Sequence, residues 1–136
     1  MSYLKTKYCL SMKRFARPRI VVSRCIAFNP VRYDGAMIQS DLIVALKPYA
    51  ECIPICPEVE IGLSVPREPL RIVSNKEGLH LLQLKTGLDF TNKMKNWANT
   101  FLDSLPLIDG FIMKSNSPSS GLFDTNVYPS LSLIHI

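Results

Sequence analysis

The chain has 136 residues, 47% of them hydrophobic and 20% charged, with a formal net charge of +5. That length suits one domain that folds on its own core without disulfides or a structural metal, and its longest apolar runs are strand-sized, which argues against a transmembrane helix. The charge is uneven: Lys5, Lys7, Lys13, Arg14, Arg17, Arg19, Arg24 and Arg32 all precede the first acidic residue, Asp34, and the remainder is net negative.

Residues 1–16 read as a flexible basic extension. Such an arm can track phosphates; it can equally be a solvated extension, or an upstream stretch translated from an early start, with Met12 as the true one. The segment from Met1 to Leu10 has neither the apolar core nor the small-residue cleavage site of a secretory signal, so the cytoplasm is the expected compartment. Cys9, Cys25, Cys52 and Cys56 are unevenly spread, which in that compartment predicts reduced thiols, ligands or core residues rather than a disulfide framework.

In chain order, Pro18 to Val22 is a β-branched run that predicts a central buried strand, with Arg24 and Cys25 in the loop after it. Asn29-Pro30 and Asp34-Gly35 are turn signals that hold Arg32 and Tyr33 on a structured loop. Ser40 is suited to cap a helix over residues 41–47 that Pro48 stops. Residues 52–56 predict a short strand near a sheet edge or at its end, because of Pro54. Extended, that strand sets Cys52 and Cys56 about 13 Å apart, so Cys52 reads as a small buried hydrophobe and not as a co-ligand of Cys56.

Residues 57–69 are punctuated by Gly62, Pro66 and Pro69 and carry the dense charge group Glu58, Glu60, Arg67 and Glu68. Residues 70–73 and 79–84 predict two strands about a polar turn, with His80 a packed or surface residue. From Thr91, a suitable cap, Met94, Trp97, Ala98, Phe101, Leu102 and Leu105 form one apolar helical stripe, the pattern of core packing, and Pro106 stops it. Residues 107–113 supply a last strand, followed by the hydroxyl-rich loop from Lys114 to Gly121. There is no internal repeat. Alternating strands and helices predict an α/β fold: a small central, mainly parallel sheet with helices packed on it and reactive loops at the strand C-terminal ends, where ligands of such sheets bind. Residues 131–136 resemble a translated sequencing adapter and are set aside, leaving residues 17–130 as a single domain, truncated at its C-terminal side.

Six blocks in order, Ile20-Val-Val-Ser-Arg-Cys25, Pro30-Val-Arg-Tyr-Asp-Gly35, Ile55-Cys-Pro-Glu-Val-Glu60, Gly62-Leu-Ser-Val-Pro-Arg67, Gly110-Phe-Ile-Met-Lys-Ser115 and Ser117-Pro-Ser-Ser-Gly121, closely resemble the thiouracil desulfidase family. The resemblance spans residues 17–128. It implies an α/β domain holding a 4Fe-4S cluster by three cysteines, with the remaining iron open to take the sulfur of a thiolated pyrimidine base or nucleoside while water replaces it at carbon. Some relatives with a continuation similar to that from Gly121 to Tyr128 resemble the first half of a longer two-domain protein.

Carried over residue by residue, the resemblance sets cluster ligands at Cys25 and Cys56 and the third cysteine position at Ser120, a departure from the family's Ser-Pro-Ser-Cys-Gly. A hydroxyl is a harder ligand than a thiol and has a far higher pKa, so it holds iron less well. A natural variant with altered function, a sequence error and a replacement all remain open as its origin. Glu58, two residues after Cys56, is the candidate for activating water or shuttling a proton, against the ordinary reading of a helix-start carboxylate. Ser117 is a candidate hydrogen-bonder of base or water, against a loop cap, while Asp34, Arg32 and Arg67 read as supporting ion-pair residues. A second reading is a non-catalytic nucleobase or RNA-binding module in which the basic arm supplies phosphate affinity.

Overall fold

A computed structural model describes residues 15–131, so most of the basic extension and the tail lie outside the described residues. The element order is β1 (Arg19–Ser23), α1 (Asp41–Leu46), β2 (Glu51–Ile55), α2 (Pro57–Glu60), β3 (Leu70–Asn75), β4 (Gly78–Gln83), α3 (Thr91–Ser104), β5 (Gly110–Ile112) and β6 (Val127–Tyr128). The α/β fold is the expected one.

Strands β2, β1 and β5 form a parallel sheet in that order. The β-branched run lies at its centre: Val21 and Val22 are fully buried, each such side chain stabilising by about 1.5–3 kcal/mol relative to exposure. Pro54 sits on β2, an edge strand, where a missing N–H costs least. The sheet is extended at its C-terminal side by Arg24 N donating to Ile55 O at 2.8 Å. Ser40 caps α1 as expected, accepting from Ile43 N, and Ile43 packs against Val22 and Ala27. Cys52 lies on the rim of that same cluster, which accords with its reading as a packing residue.

Strands β3 and β4 form an antiparallel hairpin, and β6 adds parallel to β3, making a second three-stranded sheet. One face of the hairpin packs Leu70 and Leu81 on Met94 and Ile61, with Trp97 and Phe90 at the margin. Trp97 stacks on Phe101 with ring centroids 5.0 Å apart, whereas Leu102 points away and is exposed, so the apolar stripe is narrower than its sequence period suggests. Thr91 is not the cap of α3. Phe90 occupies that position with no side-chain bond; Asp89 Oδ1 accepts from Thr91 N, and the Thr91 hydroxyl accepts from Leu81 N at 2.8 Å, fastening helix to hairpin. The last strand is also shorter than its apolar run. The exposed Asp109 carboxylate accepts from Arg19 N at 2.8 Å, and the paired ladder begins at Gly110. Among the described residues no helix is long and apolar enough to cross a membrane.

Candidate active site

The parallel sheet ends in an open cavity of about 130 Å³, walled by the loops after β1, β2 and β5. This is the carboxyl edge, where α/β sheets bind ligands. Ser23 is paired with Ile55 at the end of the β1–β2 ladder, so Cys25 and Cys56 follow on adjacent loops and both face the cavity. The Cys25 loop is held by Ile38 N donating to Cys25 O at 2.7 Å and Ala27 N to Ile38 O at 2.8 Å. Cys56 is the N-cap residue of α2, whose start is favoured by Pro57 at the first helical position. Burial pushes the Cys25 thiol up, and the neighbouring Cys56 adds to this, while Arg32 and Lys114 pull partly the other way.

The second turn of chemistry comes from α2. Glu58 is buried at 7% exposure, and its Oε2 receives Arg67 Nε at 2.7 Å. Arg67 also donates through Nη1 to Val31 O at 3.0 Å and Ser64 O at 3.2 Å, and its backbone N–H donates to Tyr33 O. One guanidinium therefore joins Glu58 to the loop carrying Arg32 and Tyr33. The other carboxylate oxygen accepts from Ser119 Oγ at 3.3 Å. Arg24 is paired instead with Glu60, and Asp34 only closes its own turn by accepting from Ala36 N.

The serine loop is anchored at both ends. Lys114 N donates to the buried Ser23 hydroxyl at 2.8 Å, and Gly121 N donates to Ser117 O at 2.9 Å, where Thr125 Oγ1 also arrives. A Cβ at Gly121 would meet Thr125 Oγ1 at 2.1 Å and Ser117 O at 2.6 Å, so only glycine closes this turn. Inside it, Ser117 Oγ accepts from Ser119 N, Ser120 N and Ser120 Oγ at 3.4, 3.2 and 3.0 Å, and meets Ser119 Oγ at 3.3 Å.

All five residues singled out from the sequence, Cys25, Cys56, Glu58, Ser117 and Ser120, line this one cavity. Ser119 was not singled out, although it bridges Ser117 to Glu58; the hydroxyls of Ser117, Ser119 and Ser120, clustered within four residues, gave no sign of which would reach the carboxylate. The donor set fits a three-thiolate cluster at two positions and not at the third. Cys25 and Cys56 supply thiols, but the third position carries a hydroxyl already bonded to Ser117, and among the described residues no group of three or more His, Cys, Asp or Glu side chains is placed to hold a metal.

Two of the comparisons with known proteins name the same group. The family model for 2-thiouracil desulfurase matches residues 20–133. The uncharacterized protein YbbK of Bacillus subtilis (strain 168) is 31% identical over 109 residues, covering 75% of this chain and 72% of that protein. Among solved structures, the [4Fe-4S]-dependent thiouracil desulfidase TudS (DUF523Vcz) is similar with a TM-score of 0.58 and 31% identity, over 78% of this chain and 70% of the other. With its six motifs, its carboxyl-edge cavity and a family match over most of its length, the chain belongs to the 2-thiouracil desulfurase family.

Proposed function

We propose that this chain is a desulfidase-type protein of the cytoplasm whose cavity takes a thiolated pyrimidine base or nucleoside, and that residues 17–130 form its single domain. The reaction class is hydrolytic: the C=S of the substrate and water become C=O and hydrogen sulfide, with no net redox change. The observation that carries this reading is the convergence of Cys25, Cys56, Glu58, Ser117 and Ser120 on one cavity at the carboxyl edge of the parallel sheet.

Glu58 is the acid–base group. Arg67 occupies one of its oxygens, leaving the other to handle a proton through the serine loop. Ser117 organises that loop and the hydrogen bonding offered to base or water. Cys25 and Cys56 are the cluster ligands of this reading, and Ser120 is the position at which three-thiolate ligation of a 4Fe-4S cluster fails, so the chain as it stands is an impaired member.

Anaerobic expression and reconstitution test this directly. The expected outcome is a weakly coloured, iron-poor wild-type protein and a brown, iron-loaded Ser120→Cys variant that releases sulfide from 2-thiouracil. A Ser120→Cys protein that neither takes up iron nor releases sulfide would sink the reading. The substitution at residue 120 also favours a second reading, a non-catalytic nucleobase or RNA-binding module. That reading expects RNA binding that falls steeply with salt and disappears on deleting residues 1–13; binding indifferent to the deletion excludes it.

A further inference from the structure

We propose that Ser120, beyond being a failed ligand, is the recognition hydroxyl of this cavity, presenting a hydrogen-bond acceptor to a ring N–H of the bound pyrimidine. The argument rests on the direction of one hydrogen-bond chain. A carboxylate paired with a guanidinium has only lone pairs to offer, so Ser119 must donate to Glu58 Oε1. Its proton is then committed, and the 3.3 Å contact between Ser117 and Ser119 must be donated by Ser117. Ser117 has in turn no proton left for Ser120, so Ser120 donates to Ser117 at 3.0 Å. Every hydroxyl in the run points toward Glu58.

Two consequences follow for the ligand. Ser117 is fully occupied: Ser120 N at 3.2 Å and the Ser120 hydroxyl at 3.0 Å take its two lone pairs, Ser119 N stands at a longer 3.4 Å, and its own proton goes to Ser119. Ser120 is the opposite case. Its proton is turned inward, no donor among the described residues reaches its oxygen, and it lines the cavity together with Cys25 and Cys56. What meets the ligand at the third cysteine position is therefore a fixed acceptor, which pairs with N–H and repels a ring nitrogen lone pair or carbonyl. Ser119 is a positioning residue, since it transmits the polarity of Glu58 to Ser120.

This inference rests on the thiolated-pyrimidine reading and specifies which hydroxyl serves it. Calorimetric titration of the iron-free wild-type chain with 2-thiouracil and with its two singly ring-N-methylated forms tests it. The wild type should bind 2-thiouracil roughly tenfold more tightly than one of the methylated forms, the size of one neutral hydrogen bond. Ser120→Ala should bind 2-thiouracil and that methylated form alike. Ser119→Ala should reduce the discrimination while keeping the Ser120 hydroxyl, whereas a merely structural role for Ser119 would weaken both ligands together. Equal binding by the wild type, discrimination that survives in Ser120→Ala, or no binding by the wild type overturns the proposal. Failure of the parent reading shows separately, as a Ser120→Cys protein without iron or sulfide release.

Discussion

Glu58 and Arg67 are 10% and 4% exposed at their side chains and 2.7 Å apart, which makes them a buried pair whose partners cannot be removed singly without cost. Removing one leaves an uncompensated charge, worth about 3–5 kcal/mol in such settings. Arg67→Met is therefore expected to lower unfolding stability by roughly 3 kcal/mol in chemical denaturation, and to loosen the Val31–Tyr33 wall that the same guanidinium holds. At the neighbouring turn, Gly121→Ala forces Thr125 and the Ser117 carbonyl apart. Overpacking of this kind costs about 1–3 kcal/mol, and the loss of the serine-loop geometry should abolish ligand binding in the same calorimetric assay. Cys25, Cys56, Glu58, Ser117 and Ser120, which line one cavity, stood out as candidates in the sequence because they lie in the motif blocks. Ser119 did not, because its significance lies in a carboxylate 61 positions away.

At the scale of elements, local signals and packing contribute separately. Ser40 caps α1 through a bond to Ile43 N, and Ser40→Ala should cost about 1 kcal/mol without moving the cavity, since only Ile43 of that helix is buried. Met94 joins α3 to the hairpin, so Met94→Ala should cost about 2–5 kcal/mol; a loss below 1 kcal/mol in denaturant titration would show that α3 is not held by this core. The predicted cap at Thr91 failed for a tertiary reason. Its hydroxyl is more useful to the helix–hairpin junction, where Leu81 N would otherwise lack a partner, and Asp89 takes over the first helix amide.

For the whole molecule, the hairpin–helix junction also sets a pH dependence. Hydrogen bonds from the Thr91 side chain and backbone hold the Asp89 carboxyl below its usual range, with His80 adding to the effect. A depressed folded-state pKa contributes stability that is present above the unfolded value of about 3.9 and is lost as pH falls through the folded value. Acid unfolding of the wild type should thus steepen below about pH 4, and Asp89→Asn should flatten that part of the curve while leaving neutral stability reduced. An unchanged acid limb would exclude this role for Asp89.

The sequence by itself determined the α/β class, the central place of the Val21–Val22 strand, the edge strand containing Pro54, the capped helix and the membership in a desulfidase family, because all of these follow from local periodicity, turn chemistry and contiguous motifs. Only the tertiary structure decided that β3, β4 and β6 form a sheet of their own, that Arg67 bridges Glu58 to the Val31–Tyr33 loop, and that Ser120 lines the cavity with its hydroxyl bonded to Ser117. Those outcomes depend on groups brought together from distant positions. The direction of a hydroxyl chain, in particular, is dictated by the charge at its far end and by nothing in the run of serines itself.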